Sequence, residues 1–212
     1  MGSTSTSLKY RKTLSIIALA MAVNMMSGLN LHAADKGNNY MLRGIGANTC
    51  TVYLDVLASE DPVQLRPYLS WIEGYISAVN RYQPETYDAT PIVSIAVTAA
   101  IVNGMCEQFP DQRVERALVL LINFFKRYRV KEASQLIEVT IGDNTAVVRQ
   151  ATLRWMQEEL AKRGHYSGPI DGAFTTPTRK SIGAFQKAND LPPTMIPDEV
   201  TVMELITLDR TE

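Results

Sequence analysis

Few side chains in this sequence have the chemistry that catalysis needs. The chain has two histidines, His32 and His165, and two cysteines, Cys50 and Cys106. A structural zinc site usually needs four such ligands, and His32 lies in a predicted signal peptide, so we predict no metal site. A Ser-His-Asp or Cys-His arrangement would have to use His165, and no nucleophile motif accompanies it. With no glycine-rich phosphate-binding turn either, the sequence predicts a protein that is not an enzyme and uses no cofactor.

One carboxylate keeps an enzymatic alternative open. Glu73 follows Trp71 and Ile72 on a predicted amphipathic helix. A carboxyl group in apolar surroundings can have a raised pKa and act as the general acid of a muramidase-type wall hydrolase. The simpler interpretation is a solvent-facing carboxylate beside the apolar stripe, which passes through Ile72 and Ile76.

The N-terminal segment has the features of a secretory signal peptide. Lys9, Arg11 and Lys12 form a positive region, and an apolar stretch follows at residues 14–26. That stretch is shorter than the roughly 20 apolar residues of a membrane span, and small residues suited to cleavage follow it around Ala34. The predicted location is the periplasm or cell envelope, with membrane contact only through the signal peptide before cleavage. A retained N-terminal anchor is the alternative.

Export would affect both the oxidation state of the two cysteines and the net charge of the mature chain. An oxidising compartment allows Cys50 and Cys106 to form a disulfide, which we predict, with two separate buried thiols as the alternative. Removing the three basic residues of the leader from 21 leaves 18 against 22 acidic residues, a formal net charge of −4. No long basic run remains, so nucleic acid is not an expected partner.

The N-terminal half has the apolar periodicity of helices. A short helix is predicted after an Asn48 cap, and a longer one opens at Pro62. Thr90-Pro91 is typical of the cap and first position of a third helix. Asp111 is the predicted cap of a fourth, whose predicted apolar stripe is Val114, Leu118, Leu121 and Phe125. These helices predict a compact bundle stapled by the disulfide.

The next segment predicts a linker. Ile137, Val139 and Ile141 alternate along the chain, which predicts a short extended segment before a turn at Gly142-Asp143 and the following Asn144.

The C-terminal segment predicts three more helices. The first carries Leu153, Met156 and Leu160 and ends at Gly164; the second opens at Thr176-Pro177; the third carries Leu205 and Ile206. Between the first two lies a turn-rich stretch, residues 164–174, whose Tyr166, Ile170 and Phe174 are expected to pack.

Residues 147–206 resemble the peptidoglycan-binding domain type 1 family, a three-helix module of envelope proteins. The pattern consists of residues in matching order and spacing: Met156-Gln157, Leu160, Gly164-His165-Tyr166, Gly168-Pro169-Ile170-Asp171-Gly172, Phe174, Thr178, Phe185-Gln186, Leu191, Thr201 and Leu205. The chain departs from the family at Thr175 and at Met195, where glycines are usual, and both departures bear on the shape of the binding groove.

The resemblance implies non-covalent binding of peptidoglycan. The residues that it places in the binding loops and helices are His165, Tyr166, Gly168, Asp171, Gly172, Phe174, Thr178 and Gln186. A domain that keeps the scaffold without binding glycan is the alternative, because a fold does not guarantee its function.

Residues 48–125 are similar to the HdeA-like family of small periplasmic helical proteins with one disulfide. The similarity lies in Thr49-Cys50, Leu54, the segment 71–75, and Cys106 at the end of a helix. It implies an interaction or chaperone module, whose partner would be a periplasmic client protein or a cell-wall enzyme that the module inhibits. Residues 35–144 hold thirteen acidic and ten basic residues and no histidine, so an acid-stress response would have to titrate carboxylates.

The predicted fold class is therefore all-α, with a disulfide-stapled bundle followed by a three-helix peptidoglycan-binding-type domain. The predicted organisation is a signal peptide, a flexible leader, an HdeA-like domain, a linker and the peptidoglycan-binding-like domain, at residues 1–34, 35–47, 48–128, 129–144 and 145–212.

Overall fold

The computed structural model describes residues 35–37 and 39–211. The predicted signal peptide lies outside the described residues. The described residues before Leu42 belong to one unit, in which the carboxylate of Asp35 accepts hydrogen bonds from the backbone N–H groups of Gly37 and Asn39. The described residues from Leu42 onward belong to a second unit. Within the described part of the chain, no helix is both long and apolar enough to cross a membrane.

Four helices follow a short 3₁₀ turn at Ile45–Ala47, and their bounds are α1 Cys50–Ala58, α2 Pro62–Tyr82, α3 Ile95–Gln108 and α4 Val114–Phe125. The predicted helices are confirmed, but three of their predicted caps are wrong. Thr49, rather than Asn48, caps α1, and Ser94 caps α3. Helix α4 begins after Arg113, without a side-chain cap.

The Thr90-Pro91 pair does not begin a helix, because the Thr90 side chain forms a hydrogen bond to a nearby backbone group instead of capping one. The Thr90 hydroxyl donates to the carbonyl oxygen of Ile92 at 2.8 Å, so it is directed away from the start of α3. Thr90 is also buried, at 3 % exposure. The Ser94 oxygen instead accepts the Val97 N–H and takes the capping role.

The predicted disulfide between Cys50 and Cys106 is present. It joins the start of α1 to the last turn of α3, and both cysteines are fully buried. The apolar stripe predicted for α4 is fully buried in the same hydrophobic cluster as the two cysteines, and its members are Val114, Leu118, Leu121 and Phe125.

An antiparallel hairpin corrects the all-α prediction: the fold is mostly helical but contains a two-stranded sheet. Strand β1 is Leu136–Ile141 and strand β2 is Asn144–Arg149, paired so that Ile141 faces Asn144. The predicted extended segment is thus confirmed, and the returning strand was missed. Burial stabilises the returning strand, because its Ala146 and Val139 of β1 pack against Ile196 of the C-terminal segment.

Three helices complete the chain: α5 Gln150–Lys162, α6 Thr176–Ala188 and α7 Glu199–Thr211. Their predicted inward residues are fully buried, namely Leu153, Met156, Leu160, Leu205 and Ile206. Helix α6 includes Thr176, with Thr175 at its N-cap, one residue earlier than predicted.

Polar contacts join the N-terminal half of the chain to its C-terminal half. The Tyr128 hydroxyl donates to the Asp209 carboxylate at 2.7 Å, and its ring lies edge-on to Trp155. Burial, and then the hydrogen bond to Asp209, raise the pKa of Tyr128 to about 12. Arg149 pairs with Asp88 at 2.8 Å, with both side chains largely buried. The division into two domains at residues 129–144 stays a prediction.

Candidate functional site

The candidate site is the loop between α5 and α6, which the sequence marks by its glycines. Helix α5 stops at Gly164, whose φ of 76° lies in the left-handed region. The next N–H, that of His165, turns back to the carbonyl oxygen of Leu160 at 2.8 Å. This is the usual way for a glycine to end a helix, and it sends the chain into the loop at a fixed angle.

A buried glutamine on α5 organises the loop. Gln157 is fully buried, and its Oε1 accepts the N–H groups of Asp171 at 3.0 Å and Gly172 at 2.8 Å. Its Nε2 donates to the carbonyl oxygen of Ala173 at 3.1 Å and to the Thr178 hydroxyl at 3.2 Å. One side chain thus satisfies three buried or part-buried backbone groups of the loop, and it fixes the loop relative to two helices.

A second glutamine repeats this arrangement between α6 and α7. Gln186 is also fully buried, its Oε1 accepts the Met195 N–H, and its Nε2 donates to the carbonyl oxygen of Ile196 and to the Thr201 hydroxyl. The equivalent partners of Gln157 lie 23 residues earlier in each case: Gly172, Ala173 and Thr178. The segment therefore contains two copies of one glutamine-centred loop.

A family model described as "Putative peptidoglycan binding domain" matches residues 149–205, which contain both glutamine-centred loops. This segment is a domain of that family. The predicted resemblance is confirmed, with its start at the last residue of β2. No curated protein and no solved structure gives a significant match to the chain. The HdeA-like resemblance of the N-terminal helices stays a prediction.

The duplicated loops explain one departure of this peptidoglycan-binding domain from its family. Gly172 has a φ of 73°, and Met195, at the equivalent position of the second loop, has a φ of 58°. The backbone therefore keeps the left-handed conformation that the family's usual glycine permits, although a side chain is present. That side chain lies over Gly183, where an added Cβ would come within 2.8 Å of the Met195 Cγ.

The two positions should respond differently to substitution. Gly172→Ala should lower the free energy of unfolding by about 2 kcal/mol, since it adds a Cβ at positive φ. That Cβ would also lie 2.5 Å from the carbonyl oxygen of Gln150. Met195→Gly relieves the same strain but raises the conformational entropy of the unfolded chain. Because the two effects oppose each other, the free energy of unfolding should change by less than about 1 kcal/mol. Urea denaturation of both variants measures this, and an equal loss in the two would contradict the interpretation.

The structure places the predicted binding residues in two groups. Gly172, Thr178, Gln186 and Tyr166 lie in the interior, the last at 6 % exposure. The Tyr166 hydroxyl donates to the carbonyl oxygen of Pro169 at 2.6 Å, so this ring braces the loop rather than facing solvent.

Gly168 is half-buried beside that ring, where an added Cβ would come within 2.6 Å of the Tyr166 hydroxyl oxygen. His165 and Phe174 are half-buried, the first edge-on to Phe185 and the second against the hairpin cluster. Asp171 is exposed. Contact of any of these residues with peptidoglycan stays a prediction.

One exposed residue was misjudged at the sequence level. Ile170 was expected to pack, but 46 % of it is exposed, next to the exposed Asp171. The hydrogen bond between Tyr166 and Pro169 holds the loop closed below it, so its side chain is left outside. A large aliphatic side chain on a loop with a fixed backbone is a candidate contact residue.

The loop should respond to acid through Asp171. A hydrogen bond from the Ala173 N–H, and then one from Gln157, lower the pKa of this carboxyl below its ordinary value. The folded state therefore binds the proton less readily than the unfolded state. The carboxylate's contribution to stability is complete above about pH 3.9 and is lost as the pH falls through the lower folded pKa. A carbon-13 titration of the carboxyl should give a midpoint below that of an unfolded Asp, and a midpoint above it would contradict this. Asp171→Asn should remove this residue's contribution to the acid dependence of stability.

Glu73, the residue of the enzymatic alternative, lies exposed on α2. It is on the rim of a cavity of about 250 Å³ that also touches the Asp88–Arg149 ion pair. The apolar enclosure expected for a general acid is therefore not what surrounds it. No group of three or more potential metal ligands occurs among the residues that the structure describes.

Proposed function

We propose that this is an exported cell-envelope protein that binds peptidoglycan non-covalently through residues 149–205. The observation that carries the proposal is the family match over a segment whose loop is held by Gln157. Binding needs no cofactor. The C-terminal domain keeps the N-terminal helices near the wall, which raises their local concentration there.

The proposed contact surface is the outer side of the loop between α5 and α6. Its exposed residues are Ser167, Pro169, Ile170, Asp171 and Thr175. An apolar side chain between polar groups suits a polymer of acetylated sugars and short peptides, which offers methyl groups, amides and hydroxyls together. Because the loop backbone is already fixed, binding would cost little conformational entropy.

Ile170→Ser tests this surface with little risk to the fold, since the side chain is half outside the protein. We expect about fivefold weaker binding of the full chain to purified sacculi, from the loss of roughly 1 kcal/mol of apolar contact. Co-sedimentation with the insoluble polymer measures it. Val63→Ser on α2 is the matched control, because Val63 is 72 % exposed and lies outside the domain. If the wild-type protein stays in the supernatant, the proposed binding of peptidoglycan is wrong. If the wild type binds and Ile170→Ser binds equally well, the proposed contact surface is wrong.

For the N-terminal helices, the proposal is an HdeA-like interaction or chaperone module. The alternatives are an immunity or inhibitor protein against a cell-wall enzyme and, third, a muramidase-type hydrolase using Glu73. A chaperone would suppress aggregation of a client protein in strong acid. An inhibitor would form a tight complex with one enzyme. A hydrolase would lower the turbidity of a cell-wall suspension, and Glu73→Gln would abolish that activity.

A further inference from the structure

The cavity beside Glu73, of about 250 Å³, has one side of α2 as a wall. Glu73, Ile76, Ser77 and Asn80 line it, and their spacing of three and four residues places them on the same side of the helix. The other walls are the segment between α2 and α3, the first turn of α3, and Arg149 at the end of β2. No residue of the loop between α5 and α6 is among these lining residues, so the cavity is separate from the proposed contact surface.

Glu73 gives the cavity an uncompensated negative charge. It is exposed at the rim, and no cationic side chain of the described residues lies within 4.0 Å of its carboxylate. The other charged residues of the lining are Asp88 and Arg149, which neutralise each other at 2.8 Å. The excess charge therefore favours a ligand that carries a positive group at the Glu73 end.

Asn80 offers a hydrogen-bond donor in a fixed orientation. Its Oδ1 accepts the Ala89 N–H at 2.7 Å, which identifies the oxygen of the amide and directs Nδ2 away from Ala89. That nitrogen has no hydrogen-bond partner among the described residues, and unlike the enclosed Tyr53 hydroxyl it keeps accessible surface. A carbonyl oxygen of a ligand would satisfy it.

The hydroxyl groups of the lining are already used. Ser77, Thr90 and Thr98 each donate to a backbone carbonyl oxygen, at 2.7, 2.8 and 3.0 Å. Of the uncharged polar side chains that line the cavity, Asn80 is therefore the one left to donate to a ligand.

The remaining lining is aliphatic, and the half-buried Ile76, Val93 and Ile95 belong to it. Glu73 and Asn80 are seven residues apart on α2, which separates them by about 10 Å along the helix axis. None of the described residues that line the cavity is aromatic, so it lacks the rings that usually bind a quaternary ammonium group. The ligand should instead carry a primary ammonium group, which can donate hydrogen bonds to a carboxylate.

We propose that this cavity binds a primary ammonium group joined by a short aliphatic chain to a carbonyl group. The ammonium pairs with Glu73, the carbonyl oxygen accepts from the Asn80 amide, and the chain contacts Ile76 and Ile95. This binding is additional to the proposed function and does not depend on binding of peptidoglycan by the loop.

N-acetylcadaverine is the probe, and two fragments of it are the controls. N-pentylacetamide lacks the ammonium group, and pentylamine lacks the acetamide. Each compound is titrated against the full chain at neutral pH and constant ionic strength, and saturation-transfer difference signals of its methylene protons give the dissociation constant. We expect saturable binding of N-acetylcadaverine, about fivefold tighter than that of either fragment, as expected for one ion pair at a rim or one neutral hydrogen bond.

Two substitutions assign the ends of the ligand. Glu73→Gln should abolish the preference for N-acetylcadaverine over N-pentylacetamide and keep the preference over pentylamine. Asn80→Asp keeps an oxygen that accepts the Ala89 N–H but loses the donor, so it should abolish the preference over pentylamine. The charge that Asn80→Asp adds affects both ammonium compounds alike, so the ratio of their affinities reports only the carbonyl contact.

Glu107→Gln is the matched control for charge. Glu107 is an exposed glutamate in the last turn of α3 and does not line the cavity, so its substitution should leave every affinity unchanged. The comparison of the probe with its fragments uses the wild type and does not depend on the folding of any variant.

Several outcomes would overturn the assignment. They are the absence of a saturable signal with N-acetylcadaverine, a fragment that binds the wild type as tightly as the probe does, and preferences that survive in both Glu73→Gln and Asn80→Asp. An equal loss of affinity in Glu107→Gln and Glu73→Gln would mean that the net charge of the protein determines binding, and it would refute the cavity as the site.

Discussion

Removing the disulfide with the double substitution Cys50→Ala/Cys106→Ala is expected to lower the free energy of unfolding by about 4 kcal/mol. The bridge closes a loop with a sequence separation of 56 residues. In the chain-entropy model, a cross-link of that span removes this much conformational freedom from the unfolded chain. For a domain with a total stability of about 5–15 kcal/mol, it is a large part of the whole.

The bridge also holds the region where α1 meets the end of α3. The Cys50 N–H donates to the carbonyl oxygen of Gln112 at 2.7 Å, and the Thr51 N–H to that of Pro110 at 2.9 Å. These bonds depend on the loop after α3 staying beside the first turn of α1, which the disulfide ensures. Without it, we expect this corner to open first.

Urea denaturation of the double variant measures the loss, and the wild type unfolded with and without a reducing agent is the matched comparison. Reduction keeps both sulfur atoms, so it separates the cross-link from the packing of the side chains. A loss below about 1 kcal/mol in both experiments would mean that the unfolded chain is already compact around these cysteines, contrary to the model.

The helices were predictable from the sequence, while their starts were not. Apolar periodicity identified α4 through Val114 and Leu118, because a buried stripe needs only the 3.6-residue repeat. Caps depend on where one side chain points. Thr90 was a plausible cap, but its hydroxyl found a carbonyl two residues ahead. Such local competition is invisible in a pattern of residue types.

The candidate site was predictable in its position but not in its roles. Glycines and the family pattern located the loop at residues 164–174, and the family model confirms the domain. The pattern did not separate residues that build the loop from those that face outward. Gln186 and Thr178 belong to that pattern, but both donate to backbone carbonyl oxygens inside the domain, and their full burial became visible only in the structure.

Gln157→Leu is expected to lower the free energy of unfolding by about 3 kcal/mol and to abolish most binding to sacculi. Leucine fills a similar volume, so the effect comes from hydrogen bonds. The substitution leaves the N–H groups of Asp171 and Gly172 and the carbonyl oxygen of Ala173 without the partner that they have in the interior. Each buried group left unpaired costs about 1–3 kcal/mol, and partial access to water at the exposed loop should reduce the total.

The duplicated loop supplies a matched control for this prediction. Gln186→Leu removes the same chemistry from the second loop, where Met195, Ile196 and Thr201 lose their partner. Both variants should be destabilised by similar amounts. Only Gln157→Leu should lose sacculus binding at a temperature where both remain folded, because the proposed contact surface belongs to the first loop. Equal loss of binding in both variants would place the contact on the domain as a whole, and retained binding in Gln157→Leu would exclude the first loop as the contact surface.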